Sequence, residues 1–148
     1  MSQTTELERI ETLVSGETPP PVAVRVVAEV VGGDPAASLE RVKQVMRVVA
    51  EKRGDKWPSD SWWRANLPNW LLDSFEGHTD EELLRNPALW DFESWLDAMK
   101  NPGWIWWSSA VEDSGWRISL CAFTDPFSIG ALEYLARVAG GGTISIEE

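Results

Sequence analysis

Residues 103–142 read GWIWWSSAVEDSGWRISLCAFTDPFSIGALEYLARVAGGG, and this stretch decides the fold. Two apolar segments, Trp104–Val111 and residues 116–124, are rich in the aromatic and β-branched residues that favour strands. The segment between them, residues 112–115 (EDSG), contains the Asp, Ser and Gly that are typical of tight turns. The stretch therefore predicts a β-hairpin.

The number of residues in the hairpin loop determines which side chains share a face. A loop of two or four residues places Val111 opposite Trp116 and Trp107 opposite Leu120. One face is then almost wholly apolar and carries Ile105, Trp107, Val111, Trp116, Ile118, Leu120 and Ala122. The other face is mixed and carries Trp104, Trp106, Ser108, Arg117, Ser119, Cys121 and Phe123. A three-residue loop would mix the two sets, so we expect an even loop that separates core from surface.

A helix and a short strand are predicted after the hairpin. Asp125 and Pro126 suit the N-cap and first position of a helix, and the glycines at 140–142 end it. The apolar face of this helix consists of Leu132, Leu135, Val138 and Ala139. Residues 143–146 can add a third strand, which the hairpin needs because two strands alone are marginal in water.

Two helices in the first third of the chain are predicted from their caps and apolar spacing. Thr5 and Glu8 form a capping box that opens a helix ending at Gly16. Asp34 caps a second helix, Pro35–Arg53. The apolar stripe of this helix is Leu39, Val42, Val45, Met46 and Val49, with the basic residues mostly outside it.

The segment between these helices, residues 22–31, is ambiguous. Its valines favour a strand, but Arg25 and Glu29 are four residues apart and the valines share the remaining face of a helix. We expect a helix here.

The middle of the chain predicts four short helices, at residues 59–65, 70–75, Asp80–Arg85 and 88–99. The resulting fold class is α+β. A helical N-terminal two-thirds covers a small, mainly antiparallel C-terminal sheet with one packed helix. The 148 residues are expected to form one domain, and the change of composition near 54–58 marks a candidate seam between subdomains.

Charge and composition limit the classes of function. The net charge of −11 disfavours nucleic acid and anionic membranes as partners, because both require clusters of Lys and Arg. One cysteine permits no internal disulfide, which fits a reducing compartment. The N-terminal residues show no secretory signal, and no apolar run is long enough to span a bilayer. A cytoplasmic location is expected.

Two features exceed what folding alone requires. Residues 60–99 hold nine acidic and two basic residues, which accounts for most of the negative charge. All ten tryptophans fall between Trp57 and Trp116. A negative surface beside tryptophans suits a basic protein partner. The candidate partner-binding residues are Trp104, Trp106, Asp73, Glu76, Asp91 and Glu93.

Catalytic and metal sites are not indicated. His78 is the only histidine and Cys121 the only cysteine, so neither a zinc site nor a nucleophilic triad is expected. No cofactor motif is present, and we expect a non-enzyme. Two alternatives remain open: a carbohydrate-binding domain or hydrolase that uses tryptophans and carboxylates, and a structural subunit that forms a homo-oligomer.

Several short motifs in the tail carry a resemblance. They are WIWWSS (104–109), GWRI (115–118), DPF (125–127), LEYL (132–135) and AGG (139–141). Together they resemble the tail of small acidic bacterial proteins, some of immunity type, which neutralise a partner toxin. The resemblance covers roughly the last third of the chain and implies a protein partner such as a basic toxin, with no catalytic residues.

Overall fold

The computed structural model describes residues 10, 23–30, 33–53, 56–76, 79–86, 90–123, 128–140 and 143–147. These ranges contain six α-helices and four strands, which confirms the α+β class. The elements in chain order are β1 (Ala23–Glu29), α1 (Pro35–Arg53), α2 (Asp60–Asn66), α3 (Asn69–Leu72) with a 3-10 helix (Asp73–Phe75), α4 (Asp80–Arg85), α5 (Phe92–Lys100), β2 (Trp104–Val111), β3 (Gly115–Ala122), α6 (Gly130–Val138) and β4 (Thr143–Glu147). The predicted helix before Gly16 lies outside the described residues except for Ile10, which is helical and fully buried.

The four strands form one antiparallel sheet in the order β2-β3-β1-β4. The sheet therefore has a central strand from the N-terminal part of the chain, and the purely helical layout predicted there is wrong. The predicted helix at residues 22–31 is β1 instead. Burial alternates along it, with Val24, Val26 and Ala28 inside and Arg25 and Glu29 exposed. Spacing of four residues is shared by a helix face and a strand face, so the charges did not discriminate between them.

The hairpin confirms the predicted loop and the predicted faces of β3, but not the predicted faces of the first half of β2. Val111 lies opposite Trp116, as an even loop requires. A β-bulge between Trp106 and Ser108 then changes the register, so that Leu120 is paired with Trp106 rather than with Trp107. Because a bulge adds one residue to one strand, it exchanges inside and outside for the rest of β2.

The bulge places Trp104 and Trp106 in the core, at 1% and 0% exposure. Their predicted position on the outer face of the hairpin is wrong. Trp107 and Ile105, which were predicted to be in the core, are half-buried.

The helices pack on the face of the sheet that carries the buried tryptophans. The predicted stripe of α1 is confirmed, since all five of its residues are buried. The helix is anchored to the sheet by a buried hydrogen bond in which Trp116 Nε1 donates to Ser38 Oγ at 3.1 Å. Lys43, which was predicted to lie outside, is only 4% exposed. On the opposite face of the sheet, termed the open face, side chains are exposed or half-buried.

Two helices begin later than predicted. Asp91 caps α5 by accepting from Ser94 N at 3.1 Å, so the helix begins at Phe92 and not at residue 88. The helix predicted from Pro126 begins at Gly130, and no side chain caps it. In contrast, the helix predicted at Asp80–Arg85 has the predicted bounds, and the Thr79 hydroxyl caps it by accepting from Glu82 N.

Candidate functional site

The four predicted carboxylates lie on two short segments that contact each other. Asp73 is two residues before Phe75 and Glu76 directly follows it, and Asp91 and Glu93 are on either side of Phe92. The rings of Phe75 and Phe92 pack edge to face with their centres 5.6 Å apart. The contact brings Asp73, Glu76, Asp91 and Glu93 to one part of the helical layer, and we call these four residues the acidic rim.

The support beneath the acidic rim is well packed. Phe75 stacks on Tyr134 of α6 with ring centres 5.2 Å apart, and Trp95 lies 5.8 Å from Phe75. The Tyr134 hydroxyl donates to Ser74 Oγ at 2.7 Å, and burial raises the pKa of this tyrosine against the opposing effect of the hydrogen bond. The 3-10 helix is therefore fixed to α6, which holds Asp73 and Glu76 in place.

The carboxylates of the rim are largely unneutralised. Asp73, Glu76 and Glu93 are exposed, and none of them forms an ion pair with another residue in the described part of the chain. One cation lies close by, since the Arg64 guanidinium is 4.3 Å from the centre of the Phe92 ring. Three exposed carboxylates that form no ion pair with another described residue leave a negative surface.

Asp91 differs from the other three because it has a structural role. It is half-buried, and its hydrogen bonds with Ser94 lower its pKa below the ordinary value for aspartate. The charged form is thus the one that caps α5 best.

Replacing Asp91 with alanine is expected to lower the free energy of unfolding by about 0.5–2 kcal/mol at neutral pH, the usual effect of losing an N-cap. In the folded protein the pKa of Asp91 lies below the ordinary value for aspartate. The part of the stabilisation that depends on the charge of Asp91 is therefore fully present at pH values above that ordinary value. It is lost as the pH falls through the folded pKa. Denaturant unfolding at several pH values measures this loss of stability for the Asp91→Ala variant and the parent protein. The control is Asp97→Ala, an exposed position on the same helix. Equal losses for both variants at every pH would contradict the capping role.

The two predicted anchors do not lie with the rim. Trp104 Nε1 donates to Ser128 O at 2.6 Å, and the Arg53 guanidinium is 5.2 Å from the Trp104 ring. Arg53 also donates to Met99 O at 2.7 Å, which satisfies a carbonyl in the last turn of α5. Trp106 is fully buried as well, so neither indole ring has exposed surface that a partner protein could contact.

An exposed apolar residue that lies between the two rim segments in sequence was not predicted. Leu84 on α4 is 88% exposed, and every described side chain of this helix is exposed or half-buried. In sequence, α4 lies between Glu76 and Asp91, the inner ends of the two rim segments. The signal was available, because Asp80–Arg85 has only two apolar residues, which is too few for a helix that packs on a core.

The residues considered above for metal binding and catalysis are located in part. No group of three or more His, Cys, Asp or Glu side chains among them could hold a metal ion. Cys121 is a half-buried free cysteine on β3, and its partner in the triad considered above, His78, lies outside the described residues. None of the helices in the described ranges is long and apolar enough to cross a membrane.

Comparisons with protein-family models, with curated proteins and with solved structures find no match for this chain.

Proposed function

We propose that this chain is a non-catalytic, cytoplasmic protein-binding protein of immunity type, which binds a basic partner such as a toxin on its acidic rim. The observation that carries the proposal is the juxtaposition of two carboxylate-bearing segments through the contact between Phe75 and Phe92. Support also comes from the exposure of Asp73, Glu76 and Glu93 without ion pairs in the described part of the chain.

The charge of this region determines what it can attract. Residues 60–99 carry nine acids and two bases, and their field extends beyond the rim itself. At physiological salt the Debye length is about 8 Å, so clustered carboxylates act together on an approaching cationic surface. Such complementarity mainly raises the association rate and excludes acidic proteins as partners.

An interface also needs an apolar centre that water cannot reach. Trp104 and Trp106 are too deeply buried for this role. Among the residues that the structure describes, Leu84 is the large exposed apolar side chain closest in sequence to the rim, and the first turn of α4 before it carries Asp80, Glu81 and Glu82. We assign Leu84 as the apolar anchor of the proposed interface.

The test is co-expression with the protein encoded by the neighbouring gene, followed by binding kinetics with the purified pair. The rim variant combines Asp73→Asn, Glu76→Gln and Glu93→Gln. A control variant with the same change of charge combines Glu29→Gln, Asp113→Asn and Glu147→Gln, which are exposed positions on the strands and the hairpin turn.

The rim variant is expected to associate roughly tenfold more slowly at low salt, with the difference shrinking as salt is added. The control variant is expected to behave much as the parent protein does. Absence of rescue together with absence of a complex at micromolar concentration would contradict the function. Equal slowing in both variants would contradict the assignment to the rim. Size-exclusion chromatography of the pure protein distinguishes a partner complex from self-association.

A further inference from the structure

The open face of the sheet contains a small polar cavity that plays no part in the proposed interface. Its volume is about 180 Å³, and it spans β1, β2 and β3. The residues that line it are Arg25, Ser108, Ser109, Ala110, Arg117 and Ser119. The acidic rim belongs to the helical layer on the other side of the sheet, so the two sites are separate.

The strand register explains the cavity. Ser108, Ser119 and Arg25 form one row across three neighbouring strands, and Ala110 and Arg117 are paired in the next row towards the hairpin turn. The two arginines are on the neighbouring strands β1 and β3, and the other residues that line the cavity have short side chains.

The two arginines are positioned to act together. Ser119 is the register partner of Arg25, and Arg117 precedes Ser119 by two residues on the same face of β3. Such diagonal neighbours lie roughly 7–8 Å apart, a distance that one small anion can bridge between two long side chains. Guanidinium groups are suited to this because they present planar pairs of N–H donors.

The charges around the cavity determine the charge of the ligand. Arg117 is paired with Glu112 at 3.2 Å, whereas Arg25 forms no ion pair within the described ranges. Glu147 is the register partner of Arg25 on β4, and Glu29 lies on the same face of β1. Three nearby carboxylates disfavour a second negative charge on the ligand.

We propose that this cavity binds the single carboxylate group of a small organic acid, held between Arg25 and Arg117 with hydroxyl donors from Ser108 and Ser119. A carboxylate accepts paired hydrogen bonds from a guanidinium and carries one charge. The volume suits one small polar group, since pockets that enclose drug-sized molecules are about 300–1,000 Å³.

The test is a titration of the full chain with acetate, followed by amide NMR shifts, with sodium chloride replaced to keep the ionic strength constant. Saturable shifts are expected for the residues that line the cavity. Arg25→Gln is expected to weaken the apparent affinity about tenfold, the equivalent of one hydrogen bond to a charged group. The matched control is Arg137→Gln on α6, which removes an arginine of similar exposure that is paired with Glu133 at 3.5 Å. Because Arg25 is exposed, the substitution leaves the core intact.

Four results would overturn the proposal. The first is the absence of saturable shifts at tens of millimolar acetate. The second is an equal loss of affinity in Arg25→Gln and Arg137→Gln, which would indicate a general effect of charge. The third is saturation by phosphate but not by acetate, which would assign the cavity to a different class of anion. An amidated glutamate-containing peptide and free acetate, compared at equal carboxylate concentration, distinguish a protein side chain from a free acid. Binding of the peptide alone would also overturn the proposal.

Discussion

Replacing Trp106 with alanine is expected to lower the free energy of unfolding by about 3–5 kcal/mol, with or without a partner present. The Trp106 side chain is fully buried in the main hydrophobic cluster, so its removal leaves a cavity in the centre of the fold. Denaturant unfolding followed by circular dichroism measures the change.

Trp62→Ala is the matched control for this substitution. The Trp62 ring is half-buried, with the Lys52 ammonium 4.8 Å from its centre and Trp63 at 5.1 Å. A smaller loss of stability is expected, because less apolar surface returns to water. A Trp106→Ala protein with the same unfolding midpoint in denaturant as the parent protein would contradict the burial of this side chain in the core.

Replacing Gly115 with alanine is expected to cost about 3 kcal/mol or more, at the upper end of the range for overpacking. A Cβ at this position would lie 1.8 Å from the Ala28 carbonyl oxygen, which belongs to the backbone of β1 and cannot rotate away. The pairing of β1 with β3 must therefore shift. The measurement is the unfolding midpoint together with the amide exchange of β1.

Gly33→Ala serves as the control for Gly115. A Cβ at Gly33 would meet a methyl group of Val30 at 3.2 Å, and a side chain can adjust to such a contact. Little change in stability is expected. Similar losses of stability at the two glycines would show that the close approach of β1 to Gly115 does not explain the effect of the Gly115→Ala substitution.

The hairpin shows how far the fold could be predicted from the sequence. The turn residues and the apolar segments were sufficient to predict two strands and an even loop, because both are local properties. The bulge at Trp107 is not local. It allows Trp104 and Trp106 to join the core beneath the helices, and this requirement arises only when the helical layer is in place.

The strand β1 could not be predicted from its local sequence, for a related reason. Its valines indicated a strand, but nothing near it in sequence could pair with it, and its charge spacing was compatible with a helix. Its partners β3 and β4 lie about 90 to 120 residues later. Gly115 was likewise assigned to the turn, although its lack of a side chain is needed for contact with Ala28.

The candidate site was predicted in part. Charge counting identified the segments that carry Asp73, Glu76, Asp91 and Glu93, and the contact between Phe75 and Phe92 brings these segments together. The anchors were predicted from aromatic content alone, which does not distinguish a buried tryptophan from an exposed one. Leu84 was overlooked, although Asp80–Arg85 has only two apolar residues, which is too few for a helix that packs on a core.

The order of the strands has a consequence for how the protein folds during synthesis. Val26 pairs with Ile118, so the centre of the sheet cannot form until 92 further residues have been made. At ordinary rates of translation this takes roughly 5–20 s, during which the valine-rich segment has no strand partner. Folding dominated by such distant contacts is slow and exposes apolar surface to aggregation. We therefore expect chains that stop before β3 to remain unfolded on the ribosome and to depend on chaperones.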